Sequence, residues 1–233
     1  MFKYIKTYFK DSFFSSIKKN NGINNQLIIL NENGNEIKTQ YIKNLTINFN
    51  GNNNIIKLYK NIKIPEKITI NCSDNNLIDI GKSEYKISFQ IPHTMSKNSQ
   101  LIIGNNTSIF GATFILHKEP NLKIIIGNDC MIAKEVLFQT TDSHTIYNSY
   151  GKILNKPRDI ILENHVWIAR RAIILKGSFI PQNSIVGIGS IYTQKSNQEK
   201  KSGVICTGIP AKIIKENINW SRKHTTDFDI QNF

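Results

Sequence analysis

The sequence has no apolar run of the roughly 18 or more residues that a membrane-spanning helix needs. Lys or Asp interrupts every apolar stretch of the N-terminal segment MFKYIKTYFKDSFF, so we expect no secretory signal there. The three cysteines, Cys72, Cys130 and Cys206, are far apart and form no C-x-x-C pair. This spacing argues against a disulfide scaffold and favours a reducing compartment. We therefore expect a soluble, cytoplasmic protein with buried or inert thiols.

Acidic residues are few: 17 Asp and Glu stand against 30 Lys and Arg, which gives a formal net charge of +13. Clustered Lys and Arg would indicate a nucleic-acid surface. Here the lysines are scattered, and Lys, Asn and Ile are abundant throughout the chain, as in a general compositional bias. We expect no nucleic-acid partner, and favour a basic surface that helps to hold an anionic cofactor or acceptor.

A six-residue repeat is the strongest pattern in the chain. From Leu162 the sequence divides into LENHVW, IARRAI, ILKGSF, IPQNSI and VGIGSI. The first position of each hexad is always Leu, Ile or Val, and the fifth is always small or β-branched. A period of six fits neither a helix nor a simple strand alternation. It predicts short strands joined by tight corners, with several coils stacked into a solenoid because one coil buries too little.

The same register occurs upstream, from Ile103 and again from Ile126, and it puts Cys130 at a small, core-facing position. Gly81, Gly104 and Gly127 recur at intervals of 23 residues, which is one coil of three hexads with a corner insertion. Fainter apolar runs suggest that coils begin soon after residue 20. The interval from Gly127 to its counterpart Glu163 is 36 residues, and the surplus of about a dozen predicts a loop around His144.

These features resemble the bacterial hexapeptide-repeat acyltransferases. The resemblance rests on the hexads, the His-bearing loop, the ENHVWIA segment around Trp167 and the late TGIPAKIIK segment, and covers roughly residues 99–215. It implies an all-β fold, a left-handed parallel β-helix, that usually assembles as a trimer. The N-terminal coils and the spacing from His144 to Trp167 are most similar to O-acetyltransferases of capsule or lipopolysaccharide sugars, including those that acetylate sialic acid.

Four regions are predicted: an amphipathic helix over 1–20, irregular coils over 21–98, regular coils over 99–193 with a catalytic loop at 139–158, and a C-terminal extension over 194–233. In the first region, apolar residues recur every three or four positions at Phe2, Ile5, Phe9, Phe13 and Ile17. Such a helix would cap the first coil or contact a trimer partner, or it would lie on a membrane, peripheral to the inner membrane. After Pro210 we expect a short C-terminal helix in AKIIKENINW.

Acetyl transfer from acetyl-CoA to a sugar hydroxyl needs a base, because an alcohol is a poor nucleophile until its proton is being removed. Histidine has an ordinary pKa of about 6.5 and can serve at neutral pH. We therefore predict His144 as general base, carried outside the narrow solenoid on its loop. The resemblance implies that each site is built between two chains. A carboxylate that holds the imidazole tautomer is also expected: Asp142 and Glu163 are candidates, and a backbone carbonyl would serve equally.

The resemblance also implies residues that contact the donor and acceptor. Trp167 would line their cleft as an apolar wall, with packing at a trimer interface as the alternative. By position, the family's donor contacts fall on one set of residues: Trp167, Arg170, Ile188, Gly189, Thr193, Lys195 and Lys212. The sequence departs from the family pattern where Glu163 and Ala169 replace glycines and Ile188 replaces an alanine. The link QKSNQEKKSG is also longer than usual, which affects the alignment of Lys195 and Lys212.

Three alternatives stay open from the sequence. The same fold hosts zinc hydratases that need three histidines around one metal, and His93, His117 and His144 lie about one coil apart. No paired histidine motif follows, so we expect no metal. A non-catalytic binding or scaffold solenoid is the second alternative. The third is N-acetylation of an amino or nucleotide sugar, which the same base would support. The residues do not identify the acceptor sugar or the hydroxyl.

Overall fold

In the computed structural model, which describes residues 15–227, the chain folds into short strands that stack in parallel rows. The strands are Ile17–Asn20 (β1), Gln26–Leu30 (β2), Leu45–Phe49 (β3), Ile55–Tyr59 (β4), Ile68–Cys72 (β5), Leu77–Ile80 (β6), Ile87–Gln90 (β7), Gln100–Ile103 (β8), Ser108–Ile115 (β9), Lys123–Ile126 (β10), Met131–Ile132 (β11), Val136–Gln139 (β12), Ile160–Leu162 (β13), Trp167–Ile168 (β14), Ile173–Leu175 (β15), Phe179–Ile180 (β16), Ile185–Val186 (β17), Ile191–Tyr192 (β18), Ile205–Gly208 (β19) and Ala211–Lys215 (β20).

Three rows of strands define the faces of a β-helix. The first row is β2, β4, β6, β8, β10, β13 and β16 in parallel register. Strand β9 belongs to two rows, because Ser108–Ile109 pairs with β11 while Ala112–Ile115 pairs with β12. The second row continues through β14, β17 and β19, and the third through β15 and β18. The chain therefore passes through each row once per coil, which confirms the predicted parallel β-helix.

The core follows the hexad pattern. The first-position residues Ile168, Ile174, Ile180 and Val186 are all 1% exposed or less, and the small fifth-position residues Ala172, Ser178, Ser184 and Ser190 are buried beside them. Because strands alternate their side chains between inside and outside, one aliphatic residue per strand points inward. The thiols of Cys72, Cys130 and Cys206 are buried and free, as predicted. Burial raises the pKa of Cys130 to about 11, so this thiol is inert at neutral pH.

Aromatic side chains fill the core of the third row. The Phe114 ring lies 5.4 Å from that of Phe89 in the preceding coil and 5.0 Å from that of Phe138 in the following coil, measured between centroids. Phe114 and Phe138 are fully buried. This column of three phenylalanine side chains packs inside the β-helix and extends into the coil from which the His144 loop leaves.

An asparagine ladder accounts for much of the Asn-rich sequence at the N-terminal end. Asn24, Asn53, Asn75, Asn98 and Asn121 all have φ between 55° and 62°, the left-handed region that Asn tolerates better than most residues. Each amide donates to the next one along the ladder, at 2.9 to 3.2 Å. These asparagines therefore stabilise one corner of the β-helix. Compositional bias alone does not explain their positions.

Two of the periodic glycines are fixed by close contact between coils. A Cβ atom on Gly104 would lie 2.6 Å from the backbone of Gly127, and one on Gly127 would lie 2.6 Å from the backbone of Glu163. Backbone atoms cannot move aside as a flexible side chain does, so these corners exclude larger residues. Glu163 has replaced the glycine at the next step of this column.

Both predicted terminal helices need correction. Ile17–Asn20 is strand β1, paired in parallel with β3, so the helix predicted over 1–20 is wrong at its end, and residues 1–14 lie outside the described residues. Ala211–Lys215 is strand β20, antiparallel to β19, because pairing with β19 satisfies its backbone groups better than a short isolated helix would. Helical geometry occurs within residues 15–227 as a short 3-10 turn at Thr225–Asp227. No helix within residues 15–227 is long and apolar enough to cross a membrane.

Candidate active site

The loop that carries His144 leaves the β-helix between β12 and β13, as the surplus of residues predicted. Its outer part is a small hairpin in which the Asn148 N–H donates to the Lys152 carbonyl at 3.0 Å and Tyr147 bridges Ile153. His144 is exposed. The loop leaves at the same corner as the asparagine ladder, one coil after Asn121, and so projects its histidine outside the narrow interior.

The base of the loop is tied to the coil below. The Thr140 hydroxyl donates to the Ile115 carbonyl at 2.7 Å, and Thr141 is 3% exposed. Ser143 has a φ of 63°, and its N–H donates to the Thr141 hydroxyl at 3.0 Å. The Ser143 hydroxyl lies 3.3 Å from Nε2 of His117. The residue directly before His144 is therefore held from two sides.

Asp142 anchors the loop to the next coil. Its carboxylate accepts hydrogen bonds from Lys176 Nζ and, at 2.8 Å, from Asn155 Nδ2, which also donates to the His144 carbonyl at 2.7 Å. Partial burial raises the pKa of Asp142, but the hydrogen bonds from Lys176 and Asn155 outweigh it, and the pKa lies below its ordinary value. The anchor is therefore complete above the unfolded pKa of about 3.9 and is lost as the pH falls through the folded value.

Neither predicted carboxylate contacts the His144 imidazole in this chain. Asp142 reaches the backbone of His144 through Asn155, and a Glu163 oxygen accepts from the Gln182 N–H at 2.9 Å. Among the hydrogen bonds and ion pairs of residues 15–227, none joins a carboxylate to the ring of His144. The structure thus links Asp142 to the backbone carbonyl of His144 only through Asn155, while a role in fixing the imidazole tautomer stays a prediction.

Replacing Lys176 by Met should loosen the loop without unfolding the β-helix. A partly exposed ion pair contributes about 0.2 to 1 kcal/mol, so amide exchange at residues 142–146 should accelerate by up to about 5-fold. The check is hydrogen–deuterium exchange, with Lys152→Met at the exposed hairpin tip as matched control. Equal exchange in the two variants would contradict this anchoring role.

Trp167 lies on β14 in the second row, half-buried on the outer surface. Its ring lies 5.9 Å from the ring of Trp220, which stacks on His165 at 4.1 Å and donates from Nε1 to the His165 carbonyl at 2.8 Å. The His144 loop leaves between the third and first rows. One chain therefore places His144 and Trp167 on different sides of the β-helix.

The C-terminal segment that holds Trp220 was not recognised from the sequence. Arg222 donates to Asp129 Oδ1 at 3.0 Å, to Ser108 Oγ at 2.9 Å and to the Cys130 carbonyl at 2.7 Å. These partners lie more than 90 residues away in the chain, so no local spacing could have indicated them. The segment packs against the second row beside Trp167.

The predicted donor-binding residues fall at two corners. Arg170, Ile188 and Gly189 share the corner between the second and third rows, where the Gly189 N–H donates to the Arg170 carbonyl at 3.0 Å and Ile188 is 69% exposed. Lys212 is close to this corner, since it pairs with Thr207 at the end of β19. Thr193 and Lys195 follow β18 at the corner between the third and first rows. The structure therefore brings Arg170, Ile188, Gly189 and Lys212 together. It places Thr193 and Lys195 at a different corner.

His93 and His117 meet, but without the third partner that a zinc site needs. Their rings lie 4.2 Å apart, and the burial of His117, together with the charges of His93 and Lys118, lowers the pKa of His117 below its ordinary value. Within the described part of the chain, no group of three His, Cys, Asp or Glu is placed to hold a metal ion.

Hexapeptide coils stacked into a parallel β-helix, with a histidine carried outside on an inserted loop, define a hexapeptide-repeat acyltransferase architecture. The crystal structure of the polySia specific acetyltransferase NeuO is 30% identical to this chain and has a TM-score of 0.73, with 91% of this chain and 92% of that chain covered. The chain belongs to the hexapeptide-repeat sugar O-acetyltransferase family.

Three further similarities point the same way. The crystal structure of the polysialic acid O-acetyltransferase OatWY is 25% identical with a TM-score of 0.63, and covers 91% of this chain and 93% of that chain. The polysialic acid O-acetyltransferase of Escherichia coli O1:K1 / APEC is 37% identical over 100 residues, which are 42% of this chain and 31% of that protein. Its Neisseria meningitidis counterpart is 36% identical over 110 residues, 46% of this chain and 50% of that protein. The matches thus span half or less of these curated relatives. No family model matches the chain.

Proposed function

We propose that this protein transfers an acetyl group from acetyl-CoA to a hydroxyl of a bacterial surface-polysaccharide sugar, with sialic acid polymers as the favoured acceptor. The observation that carries the proposal is the whole-chain similarity to NeuO, together with a histidine-bearing loop at the predicted place. The net charge of +13 supports an anionic acceptor and an anionic donor, because a basic surface attracts both.

The proposed chemistry is direct transfer with His144 as general base. The imidazole takes the proton of the acceptor hydroxyl while that oxygen attacks the thioester carbonyl. The resulting tetrahedral intermediate carries a negative oxygen, for which backbone N–H groups at the coil corners are suitable donors. Collapse breaks the carbon–sulfur bond, and the imidazolium returns its proton to the departing thiolate. Asp142 and Asn155 would hold the backbone of His144 during these steps.

We propose that the complete site lies between subunits of a homotrimer. One chain keeps the His144 loop and Trp167 on different sides of the β-helix, so a neighbouring copy is needed to bring such a loop to the Trp167 face. The hairpin also exposes apolar side chains suited to packing against a partner: Ile146, Tyr147, Tyr150, Ile153 and Leu154, which are 48% to 92% exposed. The donor corner of Arg170, Ile188 and Gly189 would hold the coenzyme beside this interface. Membrane contact through the N-terminal residues stays a prediction.

Replacing Trp167 by Ala should raise the KM for donor or acceptor by about 2- to 12-fold, because an aromatic wall contributes roughly 0.5 to 1.5 kcal/mol beyond its buried area. Trp167→Phe, which keeps an apolar ring, should stay close to the wild-type KM. Initial rates at varied acetyl-CoA and varied acceptor are the measurement.

Mixing subunits separates a cleft role for Trp167 from simple interface packing. If each site takes His144 from one chain and Trp167 from another, oligomers reassembled from His144→Ala and Trp167→Ala chains contain some sites with both native residues. At substrate concentrations below KM, their activity should then exceed the average of the two variants measured separately. Dissociation of the Trp167→Ala oligomer in sedimentation experiments would favour the packing role instead.

The release of free coenzyme A thiol tests the proposed activity across acceptors. We expect rapid release with oligosialic acid and slow release with neutral hexoses and amino sugars. Fastest release with an amino sugar would replace O-transfer by N-transfer. No release with any acceptor, and no binding of acetyl-CoA, would favour a non-catalytic solenoid.

A further inference from the structure

The residue before His144 has an unusual backbone conformation. Ser143 has a φ of 63°, in the left-handed region that is disfavoured for residues other than Gly, Asn and Asp. A residue in this region reverses the chain locally, so it decides in which direction the next side chain leaves the loop. Such conformations persist where the surroundings hold them, and they occur often at functional sites.

The group that holds the Ser143 side chain is His117. Its Nε2 lies 3.3 Å from the Ser143 hydroxyl, across 26 residues of sequence. The ring of His117 is half-buried at the corner of the preceding coil and packs against the tilted ring of His93, with 4.2 Å between the centroids. His117 thus belongs to the β-helix itself, whereas Ser143 belongs to the inserted loop.

The two nitrogens of His117 have different surroundings. Nδ1 is buried and has no hydrogen-bond partner among residues 15–227. A buried N–H without an acceptor costs more than an unpaired acceptor. Because its lowered pKa also keeps the ring neutral at neutral pH, the proton belongs on Nε2, which donates to the Ser143 oxygen. The serine hydroxyl proton then stays free to point towards the site.

We propose that His117 is a positioning residue for the acetyl transfer: by donating from Nε2 to Ser143 it holds the turn that directs His144 towards the reacting groups. This inference rests on the proposed function of His144. The hydrogen bond from the Ser143 N–H to the Thr141 hydroxyl and the Asp142 anchor hold the loop in place, whereas the His117 contact fixes the Ser143 side chain.

The test compares variants that keep or remove this donor. His117→Leu should lower kcat about 10-fold with little change in KM, because His144 is misdirected while the binding surfaces stay intact. His117→Gln places an amide nitrogen near the position of Nε2 and should retain most of the kcat. Ser143→Gly accepts the left-handed conformation but has no hydroxyl, and should lower kcat as His117→Leu does.

The double variant His117→Leu/Ser143→Gly should be no slower than either single variant, because both remove the same contact. Multiplying losses, or wild-type kcat in His117→Leu, would overturn the proposal. If the wild-type protein itself transfers no acetyl group, the proposed function has failed. The positioning contact is then judged by hydrogen–deuterium exchange at residues 142–146, which should be faster in His117→Leu than in His117→Gln, and equal rates would reject it.

Discussion

Replacing His144 by Ala should lower kcat for acetyl transfer by about 10²- to 10⁴-fold, the range that a general base contributes. The acceptor hydroxyl would then attack the thioester without a group to take its proton. The KM for acetyl-CoA should change little, because His144 acts on the reacting hydroxyl and the proposed donor contacts come from other residues. Steady-state rates of coenzyme A release are the measurement.

The structure also predicts that this variant folds normally. His144 is exposed, and its loop is anchored through Asp142, Asn155 and Lys176. The free energy of unfolding should therefore stay within about 0.5 kcal/mol of wild type. His224→Ala, at another exposed histidine, is the matched control and should keep full activity. Transfer that survives in His144→Ala would remove the proposed base and direct attention to Asp142 and His117.

Replacing Phe138 by Ala should destabilise the protein by about 3 to 5 kcal/mol, the usual cost of removing a buried aromatic side chain from a core. Phe138 is fully buried and its ring lies 5.0 Å from the ring of Phe114. A narrow β-helix cannot collapse around the cavity, because its coils are held by parallel strand pairing above and below. Urea-induced unfolding is the measurement.

Phe110→Ala provides the control for this effect, because Phe110 is 42% exposed on the same β-helix and should cost much less. Repeat proteins can unfold in parts, so agreement between fluorescence and circular dichroism is needed before a single free energy is quoted. Equal destabilisation by the two replacements would contradict the assigned core column. Phe138→Ala should also lower activity, since residue 138 immediately precedes the loop that carries His144.

The central part of the fold could be predicted because its periodicity is local and strict. Each hexad gives one inward aliphatic residue and one small residue, and the buried positions Ile168, Ile174 and Val186 follow this pattern. The loop was predicted for a related reason: an insertion between regular coils changes the interval between equivalent residues. The position of His144 outside the β-helix follows directly from that interval.

The rest depended on contacts that local patterns do not encode. The Asn-rich stretches resembled a compositional bias until the side-chain ladder from Asn24 to Asn121 gave them a structural role. Arg222 and Trp220 reach the second row from the far end of the chain, and Ala211–Lys215 forms a strand because β19 offers it an unpaired edge. Tertiary context therefore overrode the helical appearance of AKIIKENINW.

Mass spectrometry of oligosialic acid, after incubation with the wild-type protein and acetyl-CoA, tests the proposed O-acetyl transfer directly. We expect a gain of one or more acetyl groups, removed by mild alkali as expected for an ester, and absent when His144→Ala replaces the wild-type protein. An alkali-stable acetyl group would indicate an amide and contradict O-transfer. An unmodified acceptor, with acetyl-CoA bound but not consumed, would contradict the proposed acceptor.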